Sequence, residues 1–140
     1  MNPNTIHHVE SSWALVQPIA RQAAAMFYDE LFKLDPSLRA LFKGDMPAQG
    51  ARLMLMIGAA VAQLRRLDTL VPVLQSLGKR HAAYGVVEAH YTLVGTALLS
   101  TLSKGLGPAF TAEVRAAWVD VYGVMSAVMC DASARQVSQA

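Results

Sequence analysis

The stretch from Leu77 to Leu99 decides how this chain is read: Leu-Gly-Lys-Arg-His-Ala-Ala-Tyr-Gly-Val-Val-Glu-Ala-His-Tyr-Thr-Leu-Val-Gly-Thr-Ala-Leu-Leu. Its first part closes a helix in which Leu74, Leu77 and Tyr84 fall on the inward side and Gly85 supplies the stop. His81 stands one helical turn after Leu77, so its base lies beside an apolar row. Taken alone, a histidine so placed is more often a packed core residue than a ligand. In an all-helical chain a buried imidazole has one strong chemical use, axial ligation of haem iron. That use needs a neutral ring with Nε2 free and the opposite N–H held by an acceptor. The Leu77 carbonyl, four residues back, is the expected acceptor.

Outward from this stretch the periodicity stays helical, with Ala, Leu, Met, Gln and Arg dominating and no strand-length alternation. Asn4 or Thr5 can cap a first helix that runs towards Pro18, with Trp13 on its apolar side. Pro18 breaks or bends the chain, and a second helix continues through Phe27, Tyr28, Leu31 and Phe32. Asp35-Pro36 caps a short helix over Pro36–Leu41, and Gly44, Asp45 and Pro47 break the chain after it. The helix from about Pro47 to Leu64 is apolar on most sides, which predicts a central position. Asp68-Thr69 starts the helix that carries His81, and Glu88 to about Ser103 forms the next. After Gly105-Leu106-Gly107-Pro108, Thr111 opens a long final helix with Glu113 in its first turn. The polar residues Ser133 to Ala140 are expected to fray. The expectation is all-α, about seven helices, with residues 1–140 forming one domain and the middle helices carrying the apolar load.

Composition removes several classes of function. Twelve Lys+Arg against ten Asp+Glu leave a net charge of +2, and the basic pairs Arg65-Arg66 and Lys79-Arg80 are too few to track nucleic-acid phosphates. A hydrophobic share of 54% excludes an intrinsically disordered polymer. The single Cys130 excludes an intrachain disulfide framework. No signal-peptide pattern opens the chain, and the richest apolar runs, Leu53–Ala62 and Ala89–Leu102, are shorter than a membrane span, so a soluble, cytoplasmic protein is expected. Neither a phosphate-binding glycine loop nor a Gly-x-Ser-x-Gly elbow occurs. His7-His8 reads as an adventitious metal site at best, and the methionines read as core filler.

The Leu77–Leu99 segment resembles the proximal segment of globins, most of all neuroglobin and the single-domain bacterial globins related to flavohaemoglobins. The resemblance continues through Leu106-Gly-Pro-Ala-Phe-Thr, Arg115-Ala-Ala-Trp118 and Val121-Tyr-Gly123. Upstream, Glu10-Ser-Ser-Trp13 resembles the first-helix tryptophan motif, and Asp35-Pro36 to Leu41-Phe42 matches the proline-to-phenylalanine spacing. Coverage runs from about Trp13 to Met129, with the motifs in the family's order.

The resemblance implies a three-on-three helical sandwich holding haem b, with His81 as the proximal iron ligand. It implies that Phe42 packs on the porphyrin, that the Tyr28 hydroxyl faces bound ligand, and that Gln49 and Leu53 lie on the distal side. Arg52 would reach a propionate, Leu77, Tyr84, Val86, Tyr91 and Val94 would line the cofactor, and Gly50 and Ala24 would let two helices cross closely.

Two departures bear on function. Neuroglobin's distal histidine is replaced by Gln49, a poor iron ligand, so internal bis-histidine capping is not expected. The carboxylate that polarises the proximal histidine in flavohaemoglobin-like globins has no counterpart near Ser133; Tyr91 remains as a member of the proximal network. The function implied is reversible binding of O2, with CO and NO as further ligands. Nitric oxide dioxygenation would need an external reductase, because the globin region accounts for nearly the whole sequence. A cofactor-free interaction module is the third reading.

Overall fold

The computed structural model describes residues 2–42 and 44–139, with side chains described up to Ala134. Six α-helices occur among them: α1 (Pro3–Val16), α2 (Ala20–Leu34), α3 (Met46–Ala62), α4 (Leu67–Ala83), α5 (Glu88–Leu106) and α6 (Ala112–Gln139). The short Pro36–Leu41 helix, counted as a seventh from sequence, is wound as a 3₁₀ segment. Its cap is as expected: Asp35 accepts from the Ser37 N–H at 3.0 Å.

Local chemistry sets most boundaries. α1 begins earlier than expected, because Pro3 occupies the first turn, where no N–H is needed, and Asn2 rather than Asn4 or Thr5 caps it. The Asn2 side chain accepts from Asn4 N–H at 2.8 Å. Pro18 does break the chain, in a 3₁₀ turn over Gln17–Ile19. α5 runs one turn past Ser103 and stops at Gly107, whose φ of 55° lies in the region that favours glycine. Thr111 lies just before α6, and its hydroxyl accepts from the Val114 N–H at 3.2 Å. The tail expected to fray from Ser133 continues as helix to Gln139, and its side chains past Ala134 lie outside the described residues.

α6 packs against α1 and α4, and α2 packs against α3 and α5. The core centres on Trp118, which is 2% exposed and stands 6.1 Å from Trp13 in a tilted pair. The Trp118 Nε1–H donates to Ser12 Oγ at 2.8 Å, joining α6 to α1 through two buried polar groups. The Ser12 hydroxyl in turn donates to the His8 carbonyl at 2.7 Å. On the surface, Lys104 of α5 pairs with Glu30 of α2, and Arg65 with Glu10 at 2.9 Å.

α3 is not central as its composition predicts. Leu55 is 75% and Met56 40% exposed, while Gly50, Met54, Ala60 and Val61 are buried. The reason is tertiary: α3 leans on α2 and α1, whereas α4, which follows it directly in sequence, packs on α6. Two helices consecutive in sequence thus choose different partners, and the candidate site residues lie on both.

Candidate functional site

α4 carries His81 near its C-terminal end. Leu70, Leu74, Gly78 and His81 lie at spacings of four, four and three, a single stripe along the helix. The first three are buried and His81 is partly buried. The chain beyond His81 is tightly tied: its carbonyl accepts from Tyr84 N–H at 3.1 Å and from Val86 N–H at 3.0 Å. Gly85 sits inside that turn with φ of 92°. A Cβ there would lie 3.9 Å from Leu41 Cδ2, so the end of the 3₁₀ segment before Phe42 closes on the α4–α5 turn.

Burial holds the His81 imidazole below its ordinary pKa, and the neighbouring Arg80 charge pushes the same way. The ring is therefore neutral at pH 7, as a metal ligand must be. Its Nδ1 is buried and has no hydrogen-bond partner among the described residues. The expected acceptor, the Leu77 carbonyl, does not take it; a helical carbonyl points along the axis to the N–H four residues on. The Tyr91 ring stands edge-on to His81, 88° between planes and 6.3 Å between centroids. Its hydroxyl is likewise buried and unpartnered, while its carbonyl accepts from the Tyr122 hydroxyl at 2.6 Å.

α2 supplies Tyr28, 8% exposed, whose hydroxyl pKa is pushed up by burial and pulled back by the Arg52 charge. Its ring packs with Phe32 at 6.0 Å, nearly parallel, and with Phe42 at 5.3 Å, edge-on. Phe32 and Phe42 pack edge-on at 5.6 Å, and the Arg39 guanidinium lies 5.4 Å over Phe32. Phe32 is the residue that sequence reasoning missed as part of this cluster. Its signal was present, since it lies one turn after Tyr28 on α2. The close crossing expected at Gly50 is there: a Cβ on it would come within 2.9 Å of Ala24 Cβ and 3.8 Å of Tyr28 Cε2.

Gln49 and Leu53 lie one turn apart on α3 and are partly buried, as are Phe42, Leu77, Val86 and Val94. Arg52 is exposed beside them. Tyr84 departs from expectation. It is 72% exposed, because α4 ends at Ala83 and the chain turns there, carrying Tyr84 off the inward stripe.

These parts test whether a cofactor fits. Among the described residues no three His, Cys, Asp or Glu side chains group as ligands, so a bare metal ion would be held at His81 by one imidazole only. A planar macrocycle that brings four equatorial donors of its own needs only that one axial nitrogen. Leu53, Leu77, Val86 and Val94, incompletely covered by protein, offer it apolar walls, and Phe42 offers an aromatic ring. The residues fit haem.

An all-helical fold that carries one partly buried, neutral histidine together with an aromatic cluster and incompletely covered apolar side chains suits a haem-pocket protein. The chain belongs to the globin family: the family model Globin matches residues 25–129. It is 34% identical over 135 residues to neuroglobin of Danio rerio, covering 86% of this chain and 85% of that protein. It is 29% identical over 129 residues to the flavohemoprotein of Bacillus subtilis (strain 168), covering 90% of this chain and 32% of that longer protein. Among solved structures, a bacterial globin from Campylobacter jejuni superposes with a TM-score of 0.85 at 21% identity, covering 98% of this chain and 99% of that one. An engineered carbene transferase, described as a candidate nitric oxide dioxygenase of Rhodothermus marinus, superposes with a TM-score of 0.88 at 23% identity, covering 99% and 96%. No described helix is long and apolar enough to cross a membrane.

Proposed function

We propose that this chain holds haem b through His81 and binds O2 reversibly on the opposite face, with CO and NO as further ligands. The observation that carries the reading is the His81 side chain: a partly buried imidazole kept neutral by burial, beside apolar walls left incompletely covered by protein. Haem, when bound, supplies the iron that takes a diatomic ligand. The chain does the rest. Phe42, Leu77, Val86 and Val94 enclose the macrocycle and exclude water, and Arg52 meets a propionate at the rim. Tyr28 donates a hydrogen bond to the ligand, and Gln49 and Leu53 shape the space around it. On the other side the Tyr91 ring stands edge-on to His81, and its buried hydroxyl, unpartnered like His81 Nδ1, would accept the Nδ1 proton and fix the ring's orientation once the two groups draw together.

Absorption spectra of ferric, ferrous and CO-treated protein test this directly, together with His81→Gly. Wild type should bind one haem, and the ferrous form should respond to CO. His81→Gly should lose most haem affinity and regain it with added imidazole. Unchanged haem retention and spectra in His81→Gly would refute the assignment of the ligand. The dioxygenase reading predicts continuing nitrate formation from NO when NADH and an external reductase are supplied; a single stoichiometric turnover favours carriage.

A further inference from the structure

α4 and α6 approach closely at Gly78. A Cβ built on this glycine would lie 2.8 Å from Met129 Cα, 3.0 Å from Met129 carbonyl carbon and closer still to the carbonyl oxygen. All three are main-chain atoms, so no rotamer change can relieve the clash. Restoring ordinary carbon contact would move the helices apart by about 1 Å. The contrast is Gly123, on α6 itself, where a Cβ meets nothing within 4 Å.

Gly78 precedes His81 by three residues on the same stripe of α4, in continuous helix. Beyond His81 the backbone is held by the bonds from Tyr84 and Val86 to its carbonyl. The histidine is thus fixed from two sides, by the turn at Gly85 and by the α4–α6 crossing at Gly78. We propose that Gly78 is a positioning residue: its missing side chain lets α4 rest on the Met129 main chain, and this contact sets where His81 stands. The inference rests on the haem reading above, because it concerns the bond His81 makes to iron. Displacing a supporting element by about 1 Å is enough to loosen such a site.

The test compares Gly78→Ala, Leu74→Ala and Gly123→Ala, measured in an osmolyte that favours the compact state. Two readouts are taken: the rate of haem loss to an excess acceptor and the iron–histidine stretching band of the ferrous protein. Gly78→Ala should speed haem loss by roughly tenfold or more and displace the band. Leu74→Ala removes buried packing from the same stripe without obstructing the crossing; it should lower thermal stability and leave the band in place. Gly123→Ala should match wild type in both.

A second arm places Gly78→Ala in the His81→Gly background with imidazole as the ligand. If Gly78 acts through His81, the substitution should then change haem loss by less than about twofold, since free imidazole finds its own position. An unmoved band in Gly78→Ala, or an undiminished effect in the imidazole-rescued background, overturns the proposal. Gly78→Ala failing to fold where Leu74→Ala folds also overturns it, in favour of a purely structural glycine. Failure of His81→Gly to lose haem would instead overturn the haem assignment itself.

Discussion

Replacing Tyr28 with phenylalanine removes one hydroxyl and leaves the ring in place. The ring is held by carbon contacts: Phe27 edge-on at 5.2 Å, Phe42 edge-on at 5.3 Å and Phe32 nearly parallel at 6.0 Å. None of these depends on the oxygen, so the substitution isolates the donor. O2 as a ligand takes on partial negative charge, and a hydroxyl aimed at it makes a partly charged hydrogen bond. Burial raises the Tyr28 pKa and the Arg52 charge offsets part of that rise, so the hydroxyl keeps its proton and remains a donor at pH 7. A bond of this kind contributes about 1.5–3 kcal/mol, equivalent to roughly 10–150-fold in the rate of O2 release if the bond is lost before the ligand leaves. CO is less polar as a ligand and should change by no more than about twofold on the same scale. Stopped-flow replacement of O2 by CO, and of CO by NO, measures the two rates, and a thermal melt checks that the pocket has kept its packing. O2 release within about twofold of wild type would refute the donor. Equal acceleration of O2 and CO release would refute it too, since a repacked pocket and not a lost hydrogen bond would then be responsible.

Two further outcomes test the framework that holds the site. Ser12→Ala leaves the buried Trp118 Nε1–H without its acceptor, which should cost about 1–3 kcal/mol and lower Tm by roughly 3–10 °C; a loss under about 0.5 kcal/mol would refute the link between α1 and α6. Burial raises the pKa of Tyr28, Tyr91 and Tyr122, so the folded state holds these protons more tightly than the unfolded chain. Their effect on stability is therefore absent below the unfolded value of about 10, and stability falls as pH rises above it. A urea midpoint unchanged between about pH 8 and pH 11 would contradict this.

Where the sequence was sufficient, a covalent feature of one residue decided the outcome. Pro18 cannot donate a helical hydrogen bond, so the break between α1 and α2 is written in its ring. Asp35 followed by Pro36 carries both a cap and a fixed φ, and the Pro36–Leu41 segment follows with the expected bounds. Gly85 and Gly107 stand where positive φ is needed. The glycine and alanine at 50 and 24 could be paired because the resemblance supplied the neighbour. Where a residue's role depends on which helix comes to meet it, the periodicity of one segment is silent. α3 is apolar on most of its circumference, and its packing on α2 and α1 leaves Leu55 in water. Tyr84 lies at an inward spacing, yet the helix ends one residue before it, so the spacing no longer applies.

The proximal side shows the same limit most sharply, and shows what lies beyond it. Helical spacing correctly put the Leu77 carbonyl one turn from His81, but a carbonyl inside a helix already points to its own N–H, so spacing alone does not make an acceptor. The group that does stand beside the ring is Tyr91, from a different helix and ten residues on. The close approach that fixes the height of α4 comes from a third helix, through Met129, fifty-one residues after Gly78. One side chain, His81, is thus governed by a turn, a neighbouring ring and a backbone crossing contributed by α4, α5 and α6. Substitutions that never touch the ligand space can for that reason alter what His81 does in it, and Gly78, with no side chain at all, is the position where the proposed coupling through α6 is tested.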